Sequence, residues 1–253
     1  MSQKEPISVY ISEHLIKGVF GTLFLKILQT GLSLILSIII ARLLGVEEFG
    51  TLTFCISIAN LLIVPAMLGG ENILIREIAS YKTKREFHFL HGFIRFIRNA
   101  TTYFSIFISI VSVIIGMLFF NSESMRFPFY LAMILVPFMT TMNIQCATLR
   151  GFNRIIMSQI NPTLFPAFVI VLLGALYFFG IKSLDPAKII FIHLLIVGIL
   201  IIFNHFLINK IILKDVVMAT PSYEILKWIR SMFPFLVTSG MHILNNEASI
   251  ILL

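Results

Sequence analysis

A lysine stands inside the first long apolar run of this chain, heading a stripe of hydrogen-bonding side chains. Lys26, Gln29, Thr30, Ser33 and Ser37 recur at helical spacing. A cation backed by an amide and hydroxyls is the chemistry of anion binding in a water-filled cavity. A lysine at the centre of a bilayer costs roughly 2.5–3.5 kcal/mol on insertion scales, so it turns toward protein or water. The competing arrangement is snorkelling, because Lys26 lies only about 12 Å from the start of its run. The sequence admits both.

Other polar groups sit in later runs. Thr53, Ser57 and Asn60 share one helical face, with Pro65 beyond them. Thr141, Gln145 and Thr148 share another, followed by Arg150. These could line the same cavity as Lys26 or hydrogen-bond to neighbouring helices. Arg150 reads as a substrate ligand or as an interfacial anchor. Glu247, with Asn245 and Asn246, is expensive at membrane depth unless partnered or protonated. It could be a proton or coupling-ion site, an ion-pair partner for Lys26, or without a role. Thr101, Ser105, Ser109, Ser112 and Gly116 form a stripe of small residues, which reads as helix packing. His193 reads as a structural residue. No metal-ligand spacing, phosphate-cradling glycine loop or nucleophile–base pair is present, so neither an enzyme nor a bound cofactor or metal is expected. Cys55 and Cys146 fall inside apolar runs and read as packing residues.

The elements that must position these groups follow from composition. Of 253 residues, 58% are hydrophobic and 12% charged, and the mean hydropathy is +0.99. Soluble domains carry about 25% charged residues. Apolar runs of spanning length recur at 18–44, 49–69, 100–120, 127–149, 158–180, 187–209 and 231–253. An open strand edge cannot face lipid, so these are helices. The expected fold is an all-α polytopic membrane bundle, one six-helix lobe plus the start of a second. Residues 87–99 are amphipathic and either lie in the interface or extend the third span.

Basic residues divide unevenly between the two sides. The N-terminal side carries Lys4 and Lys17, six cations between Arg76 and Arg98, Arg150 and Arg154, and Lys210, Lys214, Lys227 and Arg230. The other side has Arg42, Arg126, Lys182 and Lys188. The positive-inside rule then makes the N-terminus cytoplasmic. Topology accounts for the net charge of +7, leaving no need for a nucleic-acid partner. Anionic lipid headgroups are the expected neighbours of the basic loops. The expected organisation is a cytoplasmic segment 1–17, a first lobe 18–213, an inter-lobe loop 214–230 with Trp228 in an interfacial belt position, and a seventh helix 231–253. That helix stops without a polar flank, so the chain reads as part of something longer.

The joint between the first two runs narrows the class. Ala41-Arg42-Leu43-Leu44-Gly45-Val46-Glu47-Glu48-Phe49-Gly50 resembles the "ARLLGPEEFG" signature of Wzx-type polysaccharide biosynthesis flippases, in the multidrug/oligosaccharidyl-lipid/polysaccharide exporter superfamily. Val46 stands where that family usually has proline. Leu68-Gly69-Gly70-Glu71-Asn72 with Arg76-Glu77-Ile78-Ala79, Leu149-Arg150-Gly151-Phe152-Asn153-Arg154, and Asn246-Glu247-Ala248-Ser249-Ile250 are similar to softer motifs of the same family. The resemblance implies an alternating-access carrier of two six-helix lobes, of which this chain supplies the first half. It implies a cell-membrane location, plasma or inner, and an undecaprenyl-pyrophosphate-type lipid-linked glycan as substrate. The implied binding residues are Lys26 for the pyrophosphate, with Gln29, Ser33, Asn60, Gln145 and Arg150, and Glu247 for ion coupling. A second lobe or a second copy would complete the cavity.

Three other readings compete. A drug/cation antiporter of the same superfamily would want carboxylates at mid-membrane depth, and the first six runs have none. An inert fragment or membrane scaffold would turn its polar stripes toward other helices. A membrane glycosyltransferase or polymerase would need a carboxylate cluster at a loop mouth, where only Glu47 and Glu48 stand, and helix-start chemistry accounts for them.

Overall fold

The computed structural model describes residues 7–120, 122–180, 184–212, 216, 218–232 and 234–235, with side chains from Phe20 onward. Seven helices follow in order: α1 (Ile7–Leu44), α2 (Val46–Ala66), α3 (Gly70–Lys84), α4 (Phe87–Phe119), α5 (Glu123–Gly151), α6 (Ile155–Phe178) and α7 (Pro186–Ile211). Residues 225–232 are also helical. All except α3 and that last piece are long and apolar enough to cross a membrane. The protein is an all-α, multi-pass membrane bundle. Of the expected seventh span only residues 231–232 and 234–235 are described, and Glu247 lies outside the described residues.

Gly45 makes the first hairpin. Its φ of +79° is the region that favours glycine. Its N–H donates to the Ala41 carbonyl, and its own carbonyl accepts from Phe49. Glu47 and Glu48 occupy the first turn of α2, at the positive end of its dipole.

α5 is the central helix. It packs against α2, α3, α4, α6 and α7, whereas α1 packs on α6 and more lightly on α2. The small-residue stripe of α4 is buried along its length. A methyl on Gly116 would meet the Phe129 ring at 2.5 Å, so glycine sets the α4–α5 approach there. Pro137 has no N–H, which frees the carbonyl of Met133 one turn back. The Ser109 hydroxyl of α4 donates to that carbonyl at 2.6 Å. A proline break in one helix is thus closed by a hydroxyl from the next, as lipid requires.

Two regions differ from the expectation. Residues 70–84 form a helix rather than a loop, burying Ile73, Leu74, Ile78 and Tyr81 on one side. The run is too polar to read as a span, and its apolar face finds a partner only in the folded bundle. Of the two arrangements open to residues 87–99, the extension holds, and they continue directly into the third span as one 33-residue helix, about 50 Å long. Trp228 is not in an exposed belt position but 1% exposed. Its indole N–H donates to the Tyr81 hydroxyl at 3.0 Å. Its ring meets Phe93 edge-on, centroids 5.2 Å apart, and lies 5.4 Å from Phe96. The Ser222 N–H donates to the His88 carbonyl at 3.1 Å, so part of the expected inter-lobe loop is docked on α3 and α4. Burial raises the Tyr81 hydroxyl above the ordinary tyrosine range, against a smaller lowering by the Trp228 hydrogen bond.

Candidate functional site

The bundle has a basic end, where α3 and the junction of α5 and α6 lie, and an acidic end. The latter gathers Glu47 and Glu48 of α2, Glu123 of α5, and Asp185 capping α7 by accepting from the Lys188 N–H.

On α1, Lys26, Thr30, Ser33 and Ser37 are exposed and Gln29 is half-buried. The Lys26 ammonium donates to Gln29 Oε1 at 3.4 Å, and the Thr30 hydroxyl donates to the Lys26 carbonyl at 3.0 Å. These are bonds within one helix, and none holds the stripe against a neighbour. An adjoining side of α1 seats on α6. Gly21 faces Ile156, and the Thr163 hydroxyl donates to the Leu25 carbonyl at 3.3 Å. Ile156 lies in the first turn of α6. Lys26 is five residues past Gly21, about 7.5 Å along the axis, so it sits toward the basic end rather than at mid-bundle. On α2, Thr53, Ser57 and Asn60 are exposed while Leu52, Cys55, Ala59 and Ile63 are buried. Lys26, Ser33 and Asn60 therefore lie on surfaces that the described bundle leaves uncovered.

Gln145 and Arg150 do not join them. Gln145 follows Ile134, Phe138 and Thr141 on one stripe of α5, and Ile134 and Phe138 are exposed. Spacing placed Gln145 with Thr141 correctly, but that stripe points away from α2, which α5 meets through Asn143 against Met67. Its Oε1 is buried and has no protein hydrogen bond. Arg150 is ion-paired with Glu71 of α3 at 2.8 Å. The methyl that an alanine would carry at position 151 meets Ile78 of α3 at 2.8 Å. Two of the softer motifs, 68–79 and 149–154, thus meet in space. Gly69, with φ of +69°, turns the chain from α2 into α3, Arg150 pairs with Glu71, and Gly151 lets Ile78 approach. This gives Arg150 an architectural partner, which its spacing could not reveal.

Two features went unread in the sequence. The first is a polar seam between α5, α6 and α7. Asn161 Nδ2 donates to the Leu200 carbonyl at 3.3 Å, and Asn204 Nδ2 donates to Cys146 Sγ at 3.7 Å. Both asparagines are fully buried. Single asparagines in apolar runs give no spacing signal. His193 is buried on α7, 5.1 Å from the Phe165 ring. The second is a cavity of about 1120 Å³ at the acidic end, lined by Glu47, Glu123, Phe127, Leu176, Lys188 and Phe191 among others. None of Lys26, Gln29, Ser33, Asn60, Gln145 or Arg150 lines it. Its wall is assembled from the ends of four helices distant in sequence. No group of three His, Cys, Asp or Glu suited to a metal occurs among the described residues.

Comparison with family models, with curated proteins and with solved structures finds no match to this chain.

Proposed function

We propose that the protein is a flippase similar to the Wzx type, moving a lipid-linked oligosaccharide across a cell membrane for surface polysaccharide synthesis. The observation that carries this reading is the uncovered polar surface of α1 and α2. Lys26, Thr30, Ser33 and Ser37 on one helix, and Thr53, Ser57 and Asn60 on the next, face outward from a bundle whose other polar groups are largely packed inside it. An outward polar face in a membrane needs water or protein against it. A second lobe or a second copy of this chain would enclose water between the two. In that cavity Lys26 attracts the pyrophosphate of the carrier lipid, while Gln29, Ser33 and Asn60 hydrogen-bond to the glycan. The apolar tail stays in the bilayer. Arg150, held by Glu71, and Gln145, on another face, are left out of this contact set. Glu247 keeps the role of an ion-coupling group.

The test is reconstitution of the full product of its gene in liposomes with a fluorescent polyprenyl-pyrophosphate disaccharide. Loss of quenching by a membrane-impermeant reagent reads translocation. Lys26→Ala is expected to slow it about 10- to 100-fold, the effect of losing one charge-assisted contact. An unchanged rate would remove Lys26 from the site. A wild-type rate equal to that of protein-free liposomes would overturn the flippase reading.

A further inference from the structure

At the basic end a cleft of about 220 Å³ opens between α4 and the end of α7. His91, Arg95 and Arg98 line it from α4 and Asn209 from α7, with Ile212 and Val216 completing the wall. A second cavity of about 370 Å³ shares Arg95 and runs past Asn99 to Tyr103 and Tyr223.

Some cations at this end are already paired. Arg76 is paired with Glu77, Arg150 with Glu71, and Lys227 with Glu224. Arg95 and Arg98 are exposed, and neither guanidinium has a hydrogen bond or ion pair with another described residue. The nearby carboxylates Glu71, Glu77 and Glu224 are thus already engaged. His91 is fixed in the wall, since its Nδ1 lies 2.9 Å from the Ala219 carbonyl. A carbonyl only accepts, so Nδ1 carries the proton and Nε2 is the remaining polar atom. The end of α7 contributes about half a negative charge through its last carbonyls. Two guanidinium groups outweigh that, so the cleft selects an anion.

The surface beyond the cleft says which anion. Beyond Arg95 the second cavity turns apolar, with Phe96, Ala100, Tyr103, Tyr223 and Ile225 in its wall. Ile106, eleven residues and three turns on from Arg95, stands exposed on the same face of α4. Tyr103 lies about 12 Å along the axis from Arg95 and Ile106 about 17 Å. A forked cationic site that opens on an apolar cavity matches a phosphate group attached to acyl chains.

We propose that this cleft binds the phosphate of an anionic phospholipid, with Arg95 and Arg98 as its ligands and an acyl chain lying in the cavity past Tyr103 and on Ile106. The assignment rests on the membrane bundle alone and is independent of the flippase reading. Free phosphate shares the guanidinium chemistry but gains nothing from the apolar cavity.

Native mass spectrometry of the protein in an uncharged detergent tests this. Phosphatidylglycerol or phosphatidylcholine is added at equal concentration, with and without inorganic phosphate. One phosphatidylglycerol is expected to be retained in preference to phosphatidylcholine, and millimolar phosphate should not displace it. In Arg95→Gln/Arg98→Gln, binding should weaken roughly 30-fold, the effect of removing two basic groups near a membrane surface. Lys82→Gln/Lys84→Gln removes the same charge from the same end outside the cleft and should retain wild-type binding. Both variants change side chains outside the buried core, and matched melting temperatures in phosphatidylcholine verify the fold. Equal retention of the two lipids, or equal losses in the arginine and lysine variants, would reduce the site to general attraction and overturn the proposal. Displacement by free phosphate would overturn the lipid assignment.

Discussion

In α1, Lys26, Thr30, Ser33 and Ser37 stand exposed, while in α5, Thr140, Cys146 and Thr148 are buried among neighbouring helices. The two sequences look alike, each a long apolar run with polar residues three and four apart. The difference lies in what surrounds them. Half of the most apolar stretch of α5 is buried against other helices, compared with 11% of that of α1. Polar groups in α5 serve the bundle, as with Cys146 toward Asn204 and the Met133 carbonyl toward Ser109. The side chains of the Lys26 stripe in α1 bond only within their own helix and leave a face free for something else. Helical spacing says that polar residues share a face, and the packing decides whether that face is interior or available.

The strongest challenge to this contrast is a matched pair of truncations. Leu135 of α5 is 1% exposed and Leu34 of α1 is 59% exposed. Leu135→Ala is expected to destabilise by about 2–3 kcal/mol, low in the range for a buried leucine because lipid is as apolar as the lost contacts. Leu34→Ala should change stability by less than about 0.5 kcal/mol. Unfolding in mixed micelles measures both, and equal losses would erase the distinction.

Next in size is the bridged proline. Ser109→Ala leaves the Met133 carbonyl without a partner and should cost about 1–2 kcal/mol. In a Pro137→Ala background the restored N–H can take that carbonyl, so the same Ser109→Ala change should cost much less. An identical cost in both backgrounds would show that the hydroxyl is not closing the proline gap.

A smaller effect is expected at Arg150. Its pair with Glu71 is partly exposed, 28% and 38% for the two side chains, so Arg150→Gln should cost under about 1 kcal/mol. A cycle with Glu71→Gln should show that most of this cost is shared. If Arg150→Gln instead abolished transport with stability intact, Arg150 would return to the substrate site. Smallest of all, Ser33→Ala should leave stability within about 0.5 kcal/mol, since Ser33 is exposed. A larger loss would mean that the α1 stripe is already packed against protein.

High pH probes the docked segment beside α3. Tyr81 is raised above its ordinary value, chiefly by burial. The stability this provides is fully present below about pH 10 and is lost as pH rises through the higher folded value. Trp228 fluorescence should report its release in alkali before the apolar helices unfold.

The spans were legible because twenty apolar residues in a row have few uses other than crossing lipid. The Gly45 hairpin was equally legible, since glycine followed by paired glutamates states both a helix end and a helix start. The packing role of the α4 stripe followed from residue size alone. Less could be read where meaning depends on a distant partner. The amphipathic α3 was lost in a run of charges. Trp228 had the composition of a belt residue, but Tyr81 and Phe93 bury it. Arg150 read as a ligand or as an interfacial anchor, and its partner Glu71, far away in the chain, comes within 2.8 Å only in the folded bundle.

The amino-acid sequence by itself determined that this protein is a helical membrane bundle with most of its basic residues toward one end. Those properties depend on length, apolarity and charge order along the chain, which each segment carries alone. Only the tertiary structure decided that α5 is central, that α1 and α2 keep their polar faces uncovered, and that Arg95 and Arg98 stay unpaired beside an apolar cavity. Each of these depends on which residues meet across helices, and a contact between distant residues exists only after the helices have packed.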